Sequence, residues 1–206
     1  MFATLQQDRR NQPISHVRGL GEVVDLEASM ARERERREAD RVLQSRSIAV
    51  RLEEVAGFQS LFLHDRLRGR GLEGEISHVA VAPSGVWVVG ATQYDGHRVN
   101  VAWAGGADEA DRERLLVGGR DKTILVKALD SQRQAVRDAL AAYDVPVAGL
   151  LCFVGAQLPR VCTPMIHGHV VCDEEVAGAH LSQDGPLDAA DRQEIFEILE
   201  RTFPAA

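Results

Sequence analysis

The chain has 206 residues, 45% of them hydrophobic, with a formal net charge of −7 and a pI near 5.5. That size suits one domain with appendages and a sizeable core. The acidic balance argues against a general polyanion-binding surface, since phosphate affinity comes largely from Lys and Arg, although a local basic patch is compatible with it. Nearly all the cations are arginine; the lysines are Lys122 and Lys127. Cys152, Cys162 and Cys172 are odd in number and lack close pairing, which argues against a secreted disulfide framework. Met1-Phe2-Ala3 leads quickly to Asp8-Arg9-Arg10 without the apolar stretch of a signal peptide. The longest apolar run, around residues 147–156, is too short to span a bilayer. The expectation is a soluble, cytoplasmic protein with no membrane partner.

Residues 1–28 lack clean periodicity and read as an N-terminal arm, for which an ordered and a flexible state both stay open; residues 29–206 read as a single domain. Ser29 is placed to cap a helix whose mixed charges recur at i,i+4 spacing, as in Glu33 and Arg37. Apolar Ile48, Leu52 and Val55 mark its core-facing part, and Gly57 ends it. Residues 58–65 follow as a first strand. Arg66-Leu67-Arg68-Gly69-Arg70-Gly71 is a basic, glycine-rich loop.

Residues 76–102 then read as three strands joined by two tight turns. Ile76 to Ala82 turns through Pro83-Ser84-Gly85 into Val86 to Gln93. Tyr94-Asp95-Gly96 carries an Asp-Gly hairpin signal, and a third strand is expected from His97. An acidic, irregular insertion is expected over 105–113. Asp121 is a good N-cap for a long helix to about Tyr143. Residues 147–154 are almost wholly apolar, as in a central strand covered on both faces. Another strand is expected over 166–172, and Gly185-Pro186-Leu187-Asp188 opens a last helix to about Phe203. The order describes one mixed α/β domain.

Several of these stretches, taken together, resemble the nuclease-related domain (NERD) family. They are Leu63-His64-Asp65-Arg66, the run from Ile76 to Val89, Arg114 to Thr123, Leu150 to Val154, and Gly185 to Asp188. The resemblance covers about residues 40–204. It implies a restriction-endonuclease-like core of the PD-(D/E)xK superfamily, a mixed central sheet flanked by helices with an N-terminal helical extension. The chemistry it implies is metal-dependent phosphodiester cleavage.

That chemistry needs two carboxylates to hold Mg²⁺ through oxygen, and a lysine two residues after the second to activate water or stabilise developing charge. Ile-Asp-His and Asp-Ala-Lys of the family read here as Ile76-Ser77-His78 and Gly90-Ala91-Thr92. The resemblance therefore places the catalytic acids and base at Ser77, Gly90 and Thr92, none of which carries the required group. The family's helix glutamate falls near Gln44 or Ser45, and neither is acidic. Glu75, Asp95 and Lys122 (or Lys127) are the substitutes from which a relocated site would have to be rebuilt. Gln132 matches a family glutamine that borders the site.

A second constellation, Cys162, His167, His169 and Cys172, has residue types that bind zinc. On one continuous strand, His167 and His169 would share a face and Cys172 the other, which breaks a four-ligand site. The overall expectation is a catalytically inactive NERD-like protein without cofactor, retained as a binding module for a protein partner or for itself. Two alternatives stand beside it. One is an active Mg²⁺-dependent nuclease with relocated residues. The other is a non-cleaving nucleic-acid binder that contacts phosphate through Arg66, Arg68, Arg70 and Arg120.

Overall fold

In the computed structural model, residues 19–68, 74–103, 113–159 and 162–206 are described. The chain divides into two compact units, residues 1–43 and 44–206. Helix α1, Gly19–Ala56, runs through the division. It begins ten residues ahead of Ser29, so Ser29 is an interior position and not its cap. The run of Arg, Glu and Ala over residues 31–39 has high helix propensity and sustains the helix past Ser29. The arm expected over residues 1–28 lies outside the described residues up to residue 18.

The second unit holds a mixed six-stranded sheet flanked by helices. Its strands are β1 (Leu61–Leu67), β2 (Glu75–Ala82), β3 (Gly85–Gln93), β7 (Val147–Val154), β8 (Met165–Ile166) and β9 (His169–Cys172), in the order β1-β2-β3-β7-β9-β8. A separate three-stranded sheet contains β4 (Val99–Trp103), β5 (Glu113–Val117) and β6 (Arg120–Asp121). The remaining helices are α2 (Thr123–Ala139), α3 (Glu174–Leu181) and α4 (Ala189–Thr202). No helix among the described residues is long and apolar enough to cross a membrane.

The six-stranded sheet is covered on both faces. Val79, Val81, Val88, Leu151 and Phe153 pack with Val126, Leu129 and Val136 of α2 and with Ile195 and Leu199 of α4. On the other side Val89, Leu150, Cys152 and Val154 meet Ile48 and Leu52 of α1 and Ala177 of α3. Alternating residues of β3 and β7 therefore enter different cores, as period-two geometry requires. This accounts for the uninterrupted apolar run of β7, a strand with helices on either side.

The β2–β3 hairpin forms at Pro83-Ser84, closed by Ala82 opposite Gly85. Gly85 has φ +135, and a Cβ there would stand 2.8 Å from the Pro146 carbonyl, so only glycine fits. The second expected hairpin does not form. β3 pairs in parallel with β7 along its whole length, and the Tyr94 and Gly96 amides donate to Val154 and Gly155 carbonyls. With that edge taken, Asp95-Gly96 directs β4 out of the sheet to pair with β5.

Three further expectations are corrected. β1 starts at Leu61, after a turn at Phe58. Residues 166–172 are not one strand: His167 (φ +49) and Gly168 (φ +75) form a turn between β8 and β9. Asp121 lies in β6 and Lys122 occupies the N-cap position of α2, yet the Asp121 carboxylate accepts the Thr123 amide at 2.8 Å and still serves the helix start. α4 has the full reciprocal cap between Asp188 and Asp191. The insertion expected over 105–113 lies outside the described residues except for Glu113.

Candidate functional site

β2 and β3 stop pairing after His78 opposite Val89, which leaves Ser77 and Gly90 next in register. Gly90 and Thr92 lie on one face of β3 by alternation. On that face a Cβ at Gly90 would sit 3.2 Å from Leu151 Cδ2 and 3.8 Å from Leu129 Cδ1. Gly90 is half-buried, and the space above it borders two leucine side chains. Gln132 of α2 donates to the Glu75 carbonyl at 3.0 Å, two residues from Ser77, and its Oε1 is buried without a partner.

The substitute groups stand on different elements. Glu75 is exposed at the start of β2, and Asp95 accepts from Gln93 Nε2 at 2.7 Å in the turn after β3. Lys122 is half-buried at the start of α2 and Lys127 is exposed a turn further along. Among the described residues, no three His, Cys, Asp or Glu side chains converge as a metal site. The groups at Ser77, Gly90 and Thr92 do not fit Mg²⁺, which selects carboxylate and water oxygens.

Of the arginines expected to contact phosphate, Arg66 and Arg68 lie at the end of β1 and Arg120 on β6. Arg66 is largely buried, its guanidinium 4.0 Å from Glu200, and Arg68 is half-buried at the end of β1's chain segment. Arg120 is exposed on the three-stranded sheet. Arg70 lies outside the described residues.

A polar cluster that the sequence reading missed joins α1, β1 and β2. His64 and His78 stand opposite each other with Nδ1 atoms 2.8 Å apart, and His64 Nε2 lies 2.9 Å from Glu53 Oε1. A carboxylate only accepts, so His64 carries its proton on Nε2, and the His78 Nδ1–H donates to His64. Burial, followed by repulsion from His64, pushes His78 down to about 4, with Asp65 opposing. Beside this chain, Ser45 Oγ donates to both oxygens of Asp65, at 3.1 and 3.3 Å. Asp65 has φ +46, a left-handed conformation that Asp tolerates better than most residues. It lies between the His64–His78 and Arg66–Ile76 pairs, across from Ser77. Leu63-His64-Asp65-Arg66 carried the signal, but only cross-strand register reveals what each side chain meets.

The four residues with zinc-binding types do not assemble. His169, fully buried, donates from Nε2 to Asp130 Oδ1 at 2.8 Å, while His167 Nδ1 lies 3.4 Å from Asp130 Oδ2. His169 Nδ1 is buried without a partner, and burial lowers the pKa of the ring. Cys172 is paired in register with Cys152, and hydrogen bonding between their thiols together with burial pushes the Cys172 thiol up. Cys162 is exposed. The correction lies in the turn at His167-Gly168: it brings both histidines to one aspartate of α2, so no shared strand face governs them. A cavity of about 1020 Å³ opens where β7 and β9 end, lined by charges of both signs, among them Arg98, Asp173 and Glu175.

No protein-family model, curated protein or solved structure matches the chain.

Proposed function

We propose that this chain is a catalytically silent NERD-like protein with a restriction-endonuclease-like core, retained as a cytoplasmic binding module for a protein partner. The observation that supports this reading is the apolar setting of Gly90, half-buried beside Leu129 and Leu151, at the position where the resemblance puts the second catalytic carboxylate. Ser77 offers only a neutral oxygen beside it, and Thr92 offers no cation. The helix, three antiparallel strands, helix and parallel strand of the second unit support the assigned core. Loss of clustered like charges would also stabilise such a scaffold, since functional sites commonly cost stability.

The test is incubation of the purified protein with labelled single- and double-stranded DNA and RNA in Mg²⁺ or Mn²⁺. No cleavage above a buffer control is expected. Metal-dependent cleavage abolished by Glu75→Ala or Asp65→Ala would overturn the reading in favour of a relocated site. Binding without cleavage that weakens steeply with salt would instead assign a nucleic-acid-binding role.

A further inference from the structure

Arg66 and Arg68 carry guanidinium groups that the fold draws below its surface. Arg66 stands opposite Ile76 in the β1–β2 ladder, and the ladder continues past the strand end, where the Arg68 amide donates to the Gly74 carbonyl at 3.3 Å. Two residues apart on extended backbone, the arginines share a face. It is the face covered by α2 and α4: Ile76 enters the core with Val136 and Leu199, and Arg66 reaches toward Glu200. Gly74 leaves room for the Arg68 stem, since a Cβ there would stand 3.8 Å from Arg68 Cδ.

Three donor atoms of this pair lie buried with no acceptor among the described residues: Arg66 Nε, and Arg68 Nε with Nη2. Nε and Nη2 form the side-on edge of a guanidinium, the edge that takes both oxygens of one carboxylate. Glu200 does not answer it, because its Oε1 stands 4.0 Å from Arg66 Nη2 and its side chain is 53% exposed. A cation shielded from water is costly unless an anion meets it. Gln132 of α2 donates to the carbonyl of Glu75, the residue between Gly74 and Ile76, and its buried Oε1 lacks a donor. An unanswered acceptor therefore stands over the same strand segment as the unanswered donors.

We propose that Arg68, with Arg66 beside it and Gln132 on the helix above, receives an acidic side chain of a partner protein. An Asp or Glu carboxylate takes the Nε–Nη2 edge of Arg68 in bidentate fashion, and an N–H of the same peptide donates to Gln132 Oε1. Two guanidinium charges, one of them partly offset by Glu200, leave about one positive charge to neutralise; a carboxylate matches it, and a phosphomonoester at about −1.5 to −2 overshoots it. Arg68 as a whole is half-buried, so its edge lies just under the surface, within reach of a side chain inserted from solvent. The proposal deepens the binding-module reading and rests on it only for the class of partner, a protein.

The probe is acetyl-Ala-Glu-Ala-amide, titrated into the full chain and read by nuclear magnetic resonance at the Arg68 Nε–H and the Gly74 amide. Saturable shifts are expected, with the Gln counterpart binding about ten-fold more weakly. Arg68→Lys keeps the charge and loses the side-on edge, so binding read at Gly74 should weaken about ten-fold as well. A second measurement needs no ligand. Arg68→Met keeps most of the stem and removes an unanswered cation, so the melting temperature should rise by about 2–4 °C. A lower melting temperature would show that the chain already satisfies this edge and would overturn the proposal, as would equal binding of the two peptides or no saturation. Tighter binding of inorganic phosphate or a single-stranded oligonucleotide than of the Glu peptide would overturn the carboxylate assignment. Nucleic-acid cleavage, read in its own assay, would overturn the silent reading and leave these measurements standing.

Discussion

His64 and His78 face each other across β1 and β2 with Nδ1 atoms 2.8 Å apart, a contact that holds only while one ring accepts what the other donates. If both rings become cationic, neither Nδ1 can accept, and the two charges repel at close range. The pair therefore links the protonation of a buried ring to the integrity of the first hairpin.

Stability should fall on acidification for this reason. His78 titrates at about 4 in the fold and near 6.5 when unfolded, so the unfolded chain takes up the proton first. Its contribution is fully present above pH 6.5 and is lost progressively as pH falls toward 4, a decline of about 3 kcal/mol. His169, also lowered by burial, acts in the same direction. Urea titrations across this range should show the decline, and His78→Phe should flatten it. An unchanged slope in the variant would remove His78 as the cause.

Gly90 should tolerate a methyl group and reject a charge. In Gly90→Ala the Cβ meets the flexible end of Leu151 at 3.2 Å, and the entropic gain of leaving glycine offsets it, so the net change is within about 1 kcal/mol. Gly90→Glu brings a longer, charged side chain against Leu129 and Leu151 at a half-buried position and should cost about 1–3 kcal/mol. Denaturation midpoints of the two variants provide the comparison; equal effects would mean that the position opens to water.

Asp130→Ala should destabilise the sheet end formed by β8 and β9. It strands the His169 Nε2–H in a fully buried site, at a cost of about 1–3 kcal/mol. Gly149→Ala should disturb the same ring from the other side, because a Cβ there collides with the His169 imidazole. The two sites share a partner, so the double variant should lose less than the sum of the singles, which a double-mutant cycle measures.

Asp188→Ala should lower stability by about 1 kcal/mol, since the carboxylate accepts the Ala190 and Asp191 amides at 2.8 and 2.9 Å. Asp188→Asn keeps an acceptor and should recover most of the loss in thermal melts.

Much of the fold was legible because it depends on local pattern. The apolar run of β7, the Pro83-Ser84 turn and the Asp188 cap are each specified within a few residues. The expectation that Ser77, Gly90 and Thr92 stand in place of catalytic groups rests on a family resemblance, because nothing local marks a missing acid. The expected hairpin after Tyr94-Asp95-Gly96 failed because β7, more than fifty residues onward, takes the edge that a local turn would have used. α3 was not anticipated: its eight residues are too short for a helical period to stand out, although Asp173 caps it.

By itself the sequence determined which segments are apolar enough to be strands and where helices stop, since these follow from residue identity and spacing. Tertiary structure alone decided that Gly90 borders Leu129 and Leu151, that His64 reaches His78 while His167 and His169 reach Asp130, and that residues 204–206 lie along the end of β1. Those relations join residues distant along the chain, and they are set by strand order and register, which a one-dimensional pattern does not encode.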